Sequence, residues 1–173
     1  MATTYILLSS FVASGGETSV TFSSISQSYN DLVLRGSARD AAGAGTVQAL
    51  RLQINSDTNT NYSNTQILAT GTSSSSSRSS NQTTTYLGSM NQNGATANNF
   101  SSIEIYIPAY TNTNNKPLST FQVAEDNSNS GDQTGAIAGY YRTSSAISSL
   151  QLQPNGSSFA AGSSFYLYGI KNS

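Results

Sequence analysis

The side chains that could do chemistry in this chain are few, and the missing ones decide the most. None of its 173 residues is histidine or cysteine. A Ser–His–Asp triad, a Cys–His pair, a disulfide framework and His- or thiolate-ligated zinc are therefore all excluded. Serine is abundant, yet no G-x-S-x-G elbow presents one, and no S-x-x-K motif supplies a lysine base. The GAGT at 43–46 lacks the lysine and the further glycines of a phosphate loop. Carboxylates remain, in eight copies. Paired carboxylates are the working device of glycosidases, but no pair is evident. Asp31 and Asp40 fall at strand edges beside Arg35 and Arg39, where turn and ion-pair duty is the simple expectation. Glu104 falls on the polar side of a strand, and Glu125, Asp126 and Asp132 share one loop. The chain reads as non-enzymatic, with no cofactor.

Oxygen ligands for calcium come next. Asp57, Asn59 and Asn61 form the D-x-N-x-N opening of an EF-hand loop. The pattern then fails, because Tyr62 stands where glycine is needed and Leu68 where the bidentate glutamate belongs. An Asx-rich turn is the expectation here. The acidic trio at 125–132 is the other place where a cation could sit, and the overall reading is no metal. Asn99-Phe100-Ser101 matches a glycosylation acceptor, which means little without a secretion signal.

Tyrosine is the remaining functional type. Tyr106, Tyr110, Tyr140, Tyr141, Tyr166 and Tyr168 fall partly opposite the aliphatic positions of their segments. A ring with a hydroxyl offers a large contact area at low entropy cost, so these six are candidate interface or sugar-stacking residues.

What positions them is a set of strands. Leu32/Leu34, Leu50/Leu52/Ile54, Ile103/Ile105/Ile107, Val20/Phe22 and Phe165/Leu167 each alternate with neighbours expected to face away, including Val33, Arg51, Gln53 and Glu104. Period two with one apolar side is the mark of antiparallel sheets. Eleven strands are expected, near 4–12, 18–23, 31–38, 47–54, 65–70, 84–90, 100–107, 118–124, 136–143, 147–152 and 164–170. Segments rich in Gly, Asn, Asp and Ser separate them. The serine-rich 72–80 reads as a flexible loop between two strands, a possible arm toward a neighbouring subunit. So many short strands predict an all-β fold, an antiparallel β-sandwich of jelly-roll type, as a single domain over 1–173.

Composition agrees. Apolar residues make up 36% and charged residues only 9%, with a net charge of −1. Weak hydrophobicity would suggest disorder if the net charge were high, but it is not, and 10 Tyr and 6 Phe supply core material. Seven scattered basic residues leave no stripe for phosphates, so no nucleic-acid partner is expected. No apolar run approaches the roughly 20 residues of a membrane span. MATTYILLSSFVASGG lacks a basic n-region, which makes Tyr5–Val12 a strand rather than a signal core, in a chain made in a cytoplasm.

Five blocks, in order, carry a resemblance: TYILLSSFVASGGETSVTFSSISQSYNDLVLRGSAR, LRLQINSDTNTNYSNTQI, ANNFSSIEIYIPAY, TSSAISSLQLQP and FAAGSSFYLYGIKNS. Together they resemble small virion structural proteins of tailed phages, cyanophages included, with jelly-roll capsid cement or decoration proteins among them. The resemblance spans nearly the whole chain and brings no catalytic residues with it. It implies a protein of the outer virion surface, made in the host cytoplasm, whose partners are the major capsid protein and itself, as a homotrimer. The alternative is a tail-fibre or receptor-binding module for host-surface glycan.

Overall fold

The computed structural model describes residues 4–124 and 133–171. Within them the chain forms twelve strands and no helix. They are β1 (Tyr5–Val12), β2 (Val20–Phe22), β3 (Asp31–Ala38), β4 (Val47–Ile54), β5 (Tyr62–Thr70), β6 (Ser73–Gln82), β7 (Thr85–Asn91), β8 (Ser101–Ile107), β9 (Lys116–Ala124), β10 (Gln133–Tyr141), β11 (Leu150–Pro154) and β12 (Ser164–Ile170). Every pairing between these strands is antiparallel. An eight-stranded sheet runs β1-β12-β3-β8-β9-β10-β5-β6, and a four-stranded sheet runs β2-β11-β4-β7. The all-β sandwich expected from the alternation is therefore the fold. The chain passes repeatedly from one sheet to the other, with strands divided eight and four.

One apolar cluster lies between the sheets. Leu32, Leu34, Ile103, Ile105, Ile107, Phe165 and Leu167 enter it from the large sheet, and Leu50, Leu52 and Ile54 from the small one. These are the ten positions that the alternation assigns to the core. Phe159 and Phe165 close one side edge to face, with centroids 5.0 Å apart. Val33 departs from expectation. It points to the outer face as its parity requires, yet only 3% of it is exposed. Its cross-strand neighbours there are Tyr168 and Tyr106, and large rings on both sides shield a small β-branched side chain.

The serine-rich segment is a correction. It is not a flexible loop but β6, an edge strand paired with β5 from Thr70↔Ser73 to Tyr62↔Gln82. A two-residue turn at Gly71–Thr72 makes the hairpin, with Gly71 at φ +55°, where glycine carries no Cβ penalty. Serine has no strong strand preference, so the neighbouring strand, not composition, orders the segment. The hydroxyls also leave this edge hydrophilic, and Gln66 Nε2 donates to Ser77 Oγ across the pair at 2.6 Å.

In the small sheet, β7 carries a bulge. Leu50 pairs with Gly88 and the next residue, Arg51, with Tyr86, leaving Leu87 as the extra residue. Gly88 is required there twice over. Its φ is +118°, and an added Cβ would lie 2.2 Å from Gln122 Cγ of the facing sheet. The bulge lets Leu87 and Gly88 both turn inward while Arg51 and Tyr86 stay paired on the outer side.

Candidate interaction surface

The six candidate tyrosines divide into two sets. Tyr106, Tyr140, Tyr166 and Tyr168 lie on the outer face of the eight-stranded sheet. Tyr110 and Tyr141 do not; both are buried. Tyr110 sits in the loop after β8, and its hydroxyl donates to the carbonyl of Ser26. Tyr141 lies on the inner side of β10, stacked on Tyr62 with centroids 4.8 Å apart and planes 29° from parallel. Its neighbour Tyr140 has the opposite parity and faces out. Adjacent tyrosines on a strand cannot share a face, so Tyr140 and Tyr141 could not both be surface anchors. Tyr110 lies beyond the strand, where alternation gives no guide.

Register places the outer face residue by residue. One row crosses the sheet as Tyr166, Arg35, Glu104, Phe121, Ala136, Ile67 and Ser76. The row beside it runs Leu7, Tyr168, Val33, Tyr106, Ser119, Ala138 and Thr65. Phe121 is 58% exposed and Ile67 64%, with only Ala136 between them. At the β1 end, Tyr5, Leu7 and Val12 are exposed as well. The result is a band of exposed apolar and aromatic side chains, interrupted by the exposed Arg35–Glu104 pair and by small polar residues. Within it Phe121, Ala136 and Ile67 form an unbroken apolar patch, the part of the face best suited to a partner.

Polar contacts fix the rings. Tyr106 donates to Asp31 Oδ2 at 3.0 Å, while Asp31 Oδ1 accepts the Ala109 amide at 2.8 Å. Partial desolvation, then the Asp31 bond and charge, push the Tyr106 phenol up. Arg35 Nε lies 2.7 Å from Glu104 Oε2. Both side chains are more than half exposed, so this pair adds little stability and serves mainly to hold the two charges in line across the band. The Arg35 guanidinium also lies over Tyr5, 5.8 Å from the ring centroid, and Tyr5 meets Tyr168 edge to face at 6.4 Å. Sequence reasoning missed Tyr5, Leu7, Ile67 and Phe121. Parity within β9, where Leu118 and Thr120 face in and Phe121 therefore faces out, is the signal that could have found Phe121.

The other candidate positions are structural. Asp57 opens an Asx turn: Oδ1 accepts from the Asn59 amide and side chain at 2.8 and 2.7 Å, and Oδ2 from Asn61 Nδ2 at 2.8 Å and Tyr141 OH at 3.1 Å. Desolvation would raise its pKa, but the bonds from Asn61, Asn59 and Tyr141 outweigh it and hold the carboxyl below its ordinary value. The trio Glu125, Asp126 and Asp132 lies outside the described residues. Asp40 is fully buried, with Oδ1 accepting the Ala42 amide and the Ser157 hydroxyl.

Concavities among the described residues also lie away from the band. An open depression of about 580 Å³ is lined by Thr18, Gln151, Gln153 and Ser157 among others, without an aromatic ring or a charged side chain. A narrower cleft of about 230 Å³ lies where the β5–β6 hairpin overhangs β4 and β7, lined by Arg51, Asn64, Gln66, Thr84 and Tyr86 with neighbouring residues.

No protein-family model matches the chain, and no curated protein matches it. Among solved structures, it is similar to the CBM2 module of the evolved Dit of Lactobacillus casei BL23 phage J-1. That match has 11% identity and a TM-score of 0.30, covering 90% of this chain and 69% of the other. It is also similar to Scytalido-glutamic peptidase in complex with a peptide-based transition-state analogue. There the identity is 12% and the TM-score 0.25, covering 95% of this chain and 66% of the other. Both scores fall short of a shared fold.

Proposed function

We propose that this chain is a non-enzymatic structural protein on the outer surface of a tailed-phage virion. In this reading it is a capsid cement or decoration protein that seats on the major capsid protein and assembles as a homotrimer. The observation that carries the reading is the exposed apolar band on the outer face of the large sheet. A sheet face bearing Phe121, Ile67, Tyr106 and Tyr166 toward solvent costs solubility unless a partner covers it. The resemblance of the five sequence blocks to phage virion proteins supports the capsid as that partner. Many modest contacts repeated by symmetry add up without any strong single site, and the low charge limits repulsion between copies.

The experiment is add-back to particles of the carrying phage stripped of this protein. Wild-type protein should rebind and raise the temperature at which heads release DNA. Phe121→Asp should fail to rebind while its own melting temperature stays near wild type, because the side chain is already mostly in water. Equal rebinding by Phe121→Asp would reject this face as the capsid contact. Light scattering of the free protein, together with particle imaging, tests the trimer, and a monomer in both settings rejects it. The second reading, a receptor-binding module for host-surface glycan, draws on the solvent-facing rings of Tyr106, Tyr140 and Tyr166, which could stack on sugars. Copy number separates the two readings: on the order of hundreds per particle for a decoration protein and tens or fewer for a fibre module.

A further inference from the structure

Two Asn-Gly pairs stand in turns, Asn93-Gly94 after β7 and Asn155-Gly156 after β11. An asparagine carboxamide is open to attack by the backbone nitrogen of the next residue, and glycine leaves that nitrogen unshielded by a Cβ. The attack needs the peptide plane between the two residues to rotate toward the side chain. Both pairs are exposed, so exposure does not separate them. Their backbones do. The Gly94 amide donates to the Gly45 carbonyl at 3.0 Å, and the Ala95 amide to the Gln92 carbonyl at 3.0 Å. A Cβ added at Gly94 would lie 2.3 Å from the Ala44 oxygen and 2.6 Å from that of Gly45. The nitrogen at Gly94 is thus both occupied and walled in by the 44–45 backbone. The Gly156 amide, by contrast, makes no hydrogen bond among the described residues. Outside its chain neighbours, nothing lies within 4 Å of where its Cβ would be, and its φ is +76°. The Asn155 amide donates to the Ala49 carbonyl at 3.0 Å, which anchors the end of β11 but leaves the next peptide free to turn.

We propose that Asn155 is a site of spontaneous deamidation and that the fold protects Asn93 from the same reaction. The Gly156 nitrogen attacks Asn155 Cγ. The new N–Cγ bond forms as Cγ–Nδ2 breaks, and the carboxamide nitrogen leaves as ammonia with the proton of the Gly156 amide. Water then opens the resulting succinimide at either carbonyl, giving aspartate or isoaspartate. No reactant besides water is needed. Each event adds one negative charge to a chain whose net charge is −1. It does so beside Gly156 and Ser157 in the lining of the open depression, where no charged side chain stands. The site lies apart from the apolar band and does not depend on the capsid reading.

The test is incubation of the whole chain in mildly alkaline buffer, native and in denaturant, followed by peptide mass mapping and enzymatic labelling of isoaspartate. In the native protein the peptide carrying Asn155 should gain the mass of an amide-to-acid exchange and take up label. It should convert about tenfold or more faster than the peptide carrying Asn93, the protection that one or two net hydrogen bonds give against local opening. In denaturant the two pairs share one chemistry and should convert at similar rates. Asn155→Gln would need a larger ring and should stay free of the acidic species on isoelectric focusing. Its melting temperature establishes that it folds, and the native-against-denatured comparison is independent of it. An Asn155 that keeps its amide in the native protein while the denatured chain converts would overturn the assignment. So would native conversion of Asn93 as fast as Asn155, or an acidic species undiminished in a folded Asn155→Gln.

Discussion

Tyr62→Phe isolates one interaction at the hub where β4, β5 and the 55–61 turn meet. The Tyr62 hydroxyl accepts the Ile54 amide at 3.0 Å and lies 3.1 Å from the carbonyls of both Ile54 and Asp57. A hydroxyl has one proton, so it donates to only one of those carbonyls at a time and makes two bonds at most. The side chain is wholly buried, so no water can replace them. Burial also pushes the phenol's pKa well up. Deleting the oxygen keeps the ring stacked on Tyr141 but strands a buried N–H and a carbonyl. At about 1 kcal/mol per net bond, the loss is about 2 kcal/mol. For a domain of this size, that lowers the melting temperature by roughly 4–8 °C. Scanning calorimetry of the two proteins side by side is the assay. A melting temperature within about 1 °C of wild type would refute the reasoning. The same experiment repeated with millimolar calcium should change nothing, because both Asp57 oxygens already accept two bonds each. A calcium-dependent rise that Asp57→Asn abolishes would mean that the turn binds metal after all.

Three further outcomes follow from the geometry. Leu52→Ala should cost about 2–5 kcal/mol, as large-to-small core changes do, whereas Gln53→Ala on the outer side should be nearly neutral; denaturant unfolding that reversed the order would shift the register by one residue. Tyr62, Tyr86, Tyr110 and Tyr141 all have phenols raised chiefly by desolvation, so the folded state holds their protons where the unfolded chain begins to release them. Stability should therefore be full below pH 10 and fall above it, and a melting temperature flat across that range would contradict this. Hydrogen exchange should show partial, alternating protection along Ser73–Gln82, since an edge strand pairs on one side only, while uniformly fast exchange would restore the flexible-loop expectation.

Where a segment's own residues carry the signal, the sequence was readable. Alternation located β3, β4, β8 and β12 and all ten named core positions, because burial on one side of a strand writes itself into a period of two. The D-x-N-x-N failure was readable for the same reason: Tyr62 and Leu68 are visible contradictions. β6 was not readable, since ten residues of nearly pure serine and polar type carry no alternation and owe their strand to β5. Val33 shows the reverse error, an outward position buried by rings on neighbouring strands about 70 and 135 residues away in the chain. Tyr110 and Tyr141 failed as surface candidates because a residue type was weighed without its parity. The apolar band and the Arg51 cleft are built across strands, so no single segment announces either.

The most direct test of the account is a reconstruction of the intact phage particle. The account predicts the sandwich on the outer capsid in many symmetric copies, with Phe121, Ile67 and Tyr106 turned toward the shell. Density for this chain at the tail alone, or a capsid-bound copy with that face open to solvent, would contradict it.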